Sequence, residues 1–189
     1  VEGVVDFLRR FRDDVVLSTY AGRRFYTAFD SFYYSWSPGV AQQIRRNPWL
    51  KPFVRALLYP LILSLETSAL ATQPLAASNP ELAVFIAGAV ASALIGLVYF
   101  SPLAYLVDRR RRIGLRPLKV LGLVVAISLL LSAVGELLEI GDALTIATST
   151  YVLSIIGLAS LVPVGLINEI KARRAEVVSS DEEAVWMGE

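Results

Sequence analysis

Hydrophobic residues are concentrated in long windows in the second half of the chain. The windows 82–107 and 143–168 contain no charged residue, and as helices each would be about 39 Å long, against a hydrocarbon core of roughly 30 Å. Between them, 120–135 is also free of charge, and it reaches the length of a span when it is extended to 118–139. The pattern therefore predicts three transmembrane helices.

The preceding window, 54–77, fits a span less well. It is broken by Pro60 and its apolar run leads into Glu66, and an acidic residue at membrane depth costs roughly 2.5–3.5 kcal/mol on insertion scales. Arginines before the window and an Asn-Pro-Glu turn at 79–81 nevertheless favour a crossing. The window is thus interfacial, re-entrant or a fourth span. Two topologies remain open: three spans with the N-terminus outside, or four with both termini in the cytoplasm.

Residues 1–53 have a different pattern, in which apolar and charged residues alternate at helical spacing. The apolar positions between Val4 and Val16 predict an amphipathic helix, which Gly22 is expected to interrupt. Aromatic residues at three- and four-residue steps then predict a second helix. Ser37 and Pro38 are typical of an N-cap and a first helical position, so a third short helix is expected after them. This region is predicted to be a membrane-proximal array of short amphipathic helices.

Aromatic residues are unusually dense in this region, and those with a polar tip favour the depth where lipid headgroups meet hydrocarbon. We therefore expect them to rest on the membrane surface. A small aromatic core that holds the short helices together is an equal alternative, and a platform that binds a sugar or a peptide is a third. The interfacial aromatic motif comprises Tyr33, Tyr34, Trp36, Ser37, Pro38 and Trp49.

The charges between the predicted spans give them an orientation. The loop 108–119 carries six basic residues and one acid, whereas 136–142 carries three acids and no base. Because basic loops stay in the cytoplasm, the first loop and the C-terminus are expected inside and the second loop outside. We interpret the run of four arginines in the first loop as a signal that sets the topology, in preference to a site that binds nucleic acid or phosphoinositide. The topogenic arginines are Arg109, Arg110, Arg111, Arg112, Arg173 and Arg174.

Composition narrows the possible chemistry. Hydrophobic residues make up 55% of the chain and mean hydropathy is +0.56, which indicates a membrane protein. There is no cysteine or histidine, and the one methionine, Met187, lies in the predicted disordered acidic tail 175–189. The usual ligands of zinc, haem and iron–sulfur clusters are therefore missing, and we expect no metal and no cofactor. No histidine-based dyad is possible and no aspartate lies within a predicted span, so the chain is not expected to be an enzyme.

Small residues form a ladder on the first long span. Gly88, Ser92 and Gly96 lie four residues apart on one helix face, and small residues at this spacing let helix backbones approach closely in membranes. The ladder predicts helix packing, either against another span of the same chain or against a second molecule.

Four motifs in the first 65 residues occur in a distinctive order: LRRFRD at 8–13, STYAGRRF at 18–25, YYSWSP at 33–38 and LLYPL at 57–61. In this order they resemble the C-terminal CFI-box domain, whose pattern contains LRxFRD, AGxxF and YYSxSP. The resemblance covers about residues 5–65. It implies a membrane module of archaeal and some bacterial envelope proteins that follows a secreted region and has no attached enzymatic activity. The cysteine box that gives the family its name is absent, so its role is not carried over.

Together these observations predict an all-α integral membrane helical bundle of three or four spans within 54–174, preceded by the helical region 1–53. Its expected role is to anchor or scaffold a cell-envelope assembly without catalysis, with the N-terminal region outside. An accessory subunit of a membrane transport or respiratory complex is the alternative. The expected partners are membrane lipids and a protein in a homo- or hetero-oligomeric membrane assembly, and no nucleic acid.

Overall fold

The computed structural model describes the backbone of residues 2–111 and 116–187, and the side chains of residues 3–108 and 116–171. The described residues contain no β-strand, which confirms the predicted all-α fold. Seven α-helices follow one another: α1 (Glu2–Phe11), α2 (Tyr20–Arg46), α3 (Lys51–Ala76), α4 (Pro80–Ile95), α5 (Ser101–Arg111), α6 (Arg116–Leu137) and α7 (Gly141–Met187). π-helical turns follow α1 and α4 at Arg12–Val16 and Gly96–Phe100, and a 3₁₀ turn, Pro48–Leu50, precedes α3.

Four helical segments of the described chain are long and apolar enough to cross a membrane. Three of them coincide with the predicted spans, and the window 54–77, left open by the sequence, lies in the fourth. Pro60 lies inside α3 without ending it. Pro60 has no N–H for the Ala56 carbonyl, and two hydroxyls donate to backbone carbonyls close by, Tyr99 to Leu57 and Ser64 to Pro60. The four segments are Pro48–Ala76, Pro80–Asp108, Arg116–Leu137 and Gly141–Lys171.

Small side chains, and not large ones, line the contacts between these helices. On α3 and α4, which are joined by a short turn and pack side by side, the buried residues are serine, threonine and alanine, while many leucines of α3 are exposed. Buried hydroxyls are satisfied within their own helix, as Thr72 donates to the Ser68 carbonyl at 2.8 Å. This inverted distribution suits a bundle whose surroundings are lipid. The residues buried at these contacts are Ser64, Ser68, Ala69, Thr72, Ala83, Ala87 and Ala91.

The ladder predicted on α4 is divided between two environments. Ser92 is buried, and a β-carbon at Gly96 would lie 2.4 Å from the Ile156 carbonyl oxygen of α7. A β-carbon at Gly88 would meet no described atom within 4 Å. Gly96 is therefore the position where two backbones of the same chain approach closely, and Gly88 is not.

The N-terminal region differs from the predicted array of short helices. α2 is one helix of 27 residues that continues through Gly22 and Pro38. Its N-cap is Thr19, and Ser37 lies inside the helix, so the predicted cap at Ser37 is wrong. A proline at an interior position removes one backbone donor and frees the carbonyl of Tyr34. The helix continues on both sides of Pro38 without a break.

The last helix also extends further than expected. α7 continues past the apolar segment to Met187, where the sequence predicted the disordered tail 175–189. Residues 166–187 contain no glycine or proline and are rich in alanine, glutamate and other helix-compatible residues, so nothing in them ends the helix.

α2 runs from one end of the bundle to the other. We call the end that contains the α3–α4 turn at 77–79 and the α6–α7 loop at 138–140 the acidic end, and the opposite end, where α3 and α6 begin, the basic end. α2 starts at the acidic end, where the Tyr20 hydroxyl donates to the Glu139 carbonyl at 3.1 Å. It ends at Arg46, two residues before Pro48, at the basic end. At about 1.5 Å per residue its 27 residues cover about 40 Å, the length of the neighbouring spans.

The topogenic arginines lie at the basic end as far as the structure describes them. Arg109, Arg110 and Arg111 form the last turn of α5, and Arg112 lies outside the described residues. Arg173 and Arg174 lie on α7 just past the apolar segment.

Candidate functional site

A tight turn at Thr19–Gly22 fixes the N-terminal segment to the bundle. Thr19, which is 1% exposed, accepts a hydrogen bond from the Gly22 N–H and donates one to the Val16 carbonyl, both at 3.0 Å. A β-carbon at position 22 would lie 2.1 Å from the Val16 oxygen. The turn therefore requires glycine at 22, because the chain entering from the π-helical turn lies directly against the first turn of α2.

Tyr20 and Arg24 fasten this turn to the α6–α7 loop. Besides its bond to the Glu139 carbonyl, the Tyr20 hydroxyl accepts from Arg24 Nη2 at 3.3 Å, and the guanidinium carbon of Arg24 lies 5.3 Å from the centre of the Tyr20 ring. The Arg24 guanidinium also covers Gly141, where a β-carbon would come within 2.3 Å of it. Glu139 has a φ of 55°, a left-handed conformation uncommon for a residue with a side chain.

Arg12 ties the π-helical turn to α2. Its Nε donates to Asp13 Oδ1 at 2.7 Å, and its Nη1 donates to the Tyr26 hydroxyl at 3.5 Å. The hydrogen bond from Arg12 holds the pKa of the Asp13 carboxyl below its ordinary value. Arg12 thus connects two positions that are 14 residues apart.

Two carboxyl groups meet beneath the turn. Glu81 lies in the first turn of α4 and Glu136 in the last turn of α6, and their side chains interact with each other. The Ala21 N–H, one of the helix-start donors that lack an intrahelical partner, interacts with the Glu136 carboxyl group. One oxygen of each acid, Glu81 Oε2 and Glu136 Oε1, is buried without a hydrogen-bond partner among the described residues.

Two adjacent carboxyl groups repel when both are ionised, and they attract only when they share a proton. The pair lies directly under the start of α2, where the Ala21 N–H interacts with Glu136. The sequence places Glu136 in the acidic loop 136–142 but does not pair it with Glu81. The available signal is that both residues lie at the ends of apolar helices on the acidic side.

The aromatic motif lies elsewhere on α2 and does not form a core. Tyr34 is 61% exposed and Trp36 is 46% exposed, so the predicted small aromatic core is wrong. The rings instead contact one another along their own helix, as Tyr33 and Trp36 do edge-on at 5.5 Å between centroids. Trp49 packs edge-on against Phe53 at the start of α3. With nothing of the described chain covering them, these residues remain a surface for lipid or for another molecule.

Two further polar positions lie within the spans. Glu66, the predicted membrane-depth acid, is half-buried near the middle of α3. Asp108 is 6% exposed and accepts a hydrogen bond from Asn168 Nδ2 at 2.8 Å, which links α5 to α7 near the basic end. The Asp108–Asn168 pair was not predicted, because 60 residues separate its members.

Comparisons with family models, with curated proteins and with solved structures found no match to this chain. The resemblance to the CFI-box domain therefore rests on the motifs themselves. The structure does give its AGxxF residues a physical role, since Ala21 and Gly22 are buried in the turn. Phe25 lines a small cavity with Gly88 of α4 and Tyr151 of α7.

Replacing Glu136 by glutamine should leave thermal stability in detergent unchanged or raise it. The amide keeps an oxygen for the Ala21 N–H and gives Glu81 a donor that needs no shared proton. Glu136→Leu should instead cost about 1–3 kcal/mol, because it leaves the buried N–H without an acceptor. Glu139→Gln, on an exposed side chain of the same loop, is the matched control. Equal destabilisation by the glutamine and leucine variants would show that the carboxylate charge itself is required.

Proposed function

We propose that this chain is a non-catalytic integral membrane module that anchors or scaffolds an assembly of the cell envelope, and that it presents its N-terminal segment, residues 1–24, on the outer surface. The observation that carries the proposal is the attachment of this segment, through Tyr20 and Arg24, to the acidic end of the bundle. A segment held in this way is a fixed support for whatever assembles on that surface.

The orientation follows from the distribution of charge between the two ends. The 17 basic residues whose backbone the structure describes lie towards one end or the other. Twelve of these, between Arg45 and Arg174, lie at the basic end, where the acids are Asp108 and Glu169. The acidic end has five arginines, all before Phe25, against eight acids. By the positive-inside rule the basic end is cytoplasmic and the acidic end outside.

This orientation gives α2 a role that hydropathy does not reveal. If Tyr20 is outside and α3 begins inside at Pro48, the chain between them must cross the membrane. α2 has the required length and carries no charge from 31 to 44. The topology is then five crossings, with the N-terminus outside and the C-terminus in the cytoplasm. This topology keeps the outside N-terminus of the three-span prediction, and it includes all four apolar helices of the structure.

The anchoring role is tested by fusing a small folded reporter ahead of Val1 in the protein expressed in its native type of membrane. The reporter should remain with the membrane fraction after washes with high salt and carbonate, and protease added to intact cells should remove it. A reporter that protease reaches only after lysis would contradict the proposal.

Copurification after mild detergent extraction separates this role from the alternative. Secreted polypeptides or further copies of the chain, bound through the N-terminal segment, would support the anchor. A stoichiometric partner that bears a cofactor would instead support an accessory subunit of a transport or respiratory complex. The Arg24→Gln variant is a useful comparison, because it should weaken only what depends on the fixed position of that segment.

A further inference from the structure

Asp30 is an acidic residue at membrane depth that hydropathy does not assign to any span. It lies ten residues along α2 from Tyr20, about 15 Å at about 1.5 Å per residue. The hydrocarbon core is roughly 30 Å thick, so on the five-crossing topology of the proposed function Asp30 lies close to the middle of the bilayer. Ionisable residues at that depth are costly, and they are usually paired.

No described residue forms a hydrogen bond or an ion pair with Asp30. The two ion pairs of the described chain join Asp6 to Arg9 and Arg12 to Asp13, and Asp30 is not among the residues with further polar contacts. The side chain is only half-buried. It therefore differs from Asp108, which has Asn168 as its partner.

The surface around Asp30 suits a positively charged group. Tyr33 and Tyr34 lie three and four residues after it, so they neighbour it on the helix surface. Tyr26, four residues before it, is already in contact with Arg12 through its hydroxyl and its ring. Tyr33 and Tyr34 are 42% and 61% exposed. Tyrosine rings attract cations through their faces, and a carboxylate forms charge-assisted hydrogen bonds with ammonium and guanidinium groups. Beyond its first turns, the residues of α2 from 31 to 36 are all exposed.

A second copy of this chain does not supply the required charge. The basic residues that the structure describes lie towards the basic end or before Phe25. The one that reaches along α2, Arg12, is already bound to Asp13 and Tyr26. Charge complementarity thus points to a different protein. We propose that the face of α2 around Asp30 docks a transmembrane helix of a partner protein that carries a lysine or arginine near its middle, and that Asp30 pairs with that side chain.

The proposal is tested in proteoliposomes with a designed probe, a labelled leucine–alanine transmembrane peptide with one central lysine. The protein has no cysteine, so a single Ser35→Cys substitution carries the acceptor dye for energy transfer. We expect the lysine peptide to associate at least tenfold more strongly than the same peptide with leucine in place of lysine. Asp30→Asn should remove the difference, while Glu66→Gln, which alters the acid of α3, should keep it.

Three results would overturn the docking site: equal transfer from both peptides, a lysine preference that survives Asp30→Asn, or a preference lost only in Glu66→Gln. A homodimer that forms through this face and is indifferent to Asp30→Asn would also overturn it. The failure of the topology is recognised separately, since an Asp30→Cys variant should resist charged maleimides added from either side. If it reacts, α2 does not cross and the proposed function fails; if it resists but the peptides do not discriminate, only the docking site fails.

Discussion

Replacing Gly22 by alanine is expected to detach the N-terminal segment from the bundle. The added β-carbon would lie 2.1 Å from the Val16 carbonyl oxygen and 2.5 Å from Thr19 Oγ1. Because the closer atom is backbone, the turn must open, and the hydrogen bonds of Thr19 would then be lost. Overpacking of this kind costs about 1–3 kcal/mol, and we expect the upper part of that range.

Hydrogen exchange in detergent micelles is the measurement for Gly22→Ala. Amides of 12–25 should exchange much faster than in the parent protein, while those of α6 and α7 stay protected. Gly39→Ala is the control in the same helix, because a β-carbon at Gly39 would meet no described atom within 4 Å and alanine favours helix by about 1 kcal/mol. If both variants exchange like the parent protein, the close approach of Val16 to the first turn of α2 is wrong.

The second large effect is expected at Gly96. A β-carbon there would lie 2.4 Å from the Ile156 carbonyl oxygen and 3.0 Å from the Ala159 β-carbon, so even alanine must push α7 away from α4. Lipid gives separated helices no hydrophobic reason to repack. We therefore expect Gly96→Ala to lower the thermal unfolding midpoint in detergent substantially, and Gly96→Leu to prevent assembly of the bundle.

Gly88→Ala in α4 is the matched control, eight residues before Gly96 in the same span. Since its β-carbon would meet no described atom within 4 Å, we expect the unfolding midpoint to stay within the experimental error or to rise. Both are measured by circular dichroism at 222 nm in the same detergent. Equal sensitivity at 88 and 96 would mean that the whole ladder packs against protein, and equal tolerance would mean that it faces lipid.

The sequence predicts the apolar spans well because their signal is local. A window without charge that is longer than the bilayer is thick needs no information about its neighbours. The window 54–77 was harder, since Pro60 and Glu66 both argue against an isolated helix. The Tyr99 hydroxyl, from the next span, donates to the Leu57 carbonyl near Pro60, and that contact cannot be read from the window itself.

The capping of α2 shows a different limit. Ser37-Pro38 is a good start signal in isolation, but α2 accommodates Pro38 in its interior at the loss of the backbone bond to the Tyr34 carbonyl. The actual N-cap is Thr19. From sequence alone, Gly22 suggests a break in the helix, but in the structure it is the residue that lets the Val16 carbonyl lie against the first turn of α2. Here a tertiary contact decides between two local interpretations.

The candidate site depends on such contacts almost entirely. Glu81 and Glu136 are 55 residues apart in sequence, and only the packing of α4 against its neighbours under the turn brings them together. The sequence does not single out Asp30, because hydropathy does not assign α2 to a span. On the proposed five-crossing topology, the depth of Asp30 follows from the ends of the helix, Tyr20 and Arg46, and not from its local hydropathy.

The most direct test of the account is single-cysteine labelling of intact and permeabilised cells with a charged maleimide. The cysteine-free chain allows Ser18→Cys, Asn47→Cys and Ser78→Cys to be compared without background. The account predicts that 18 and 78 react in intact cells, and that 47 reacts only after permeabilisation, because α2 crosses between 18 and 47 and α3 crosses back. Reaction of 18 and 47 from the same side would contradict the crossing of α2, and with it the outer position of the N-terminal segment.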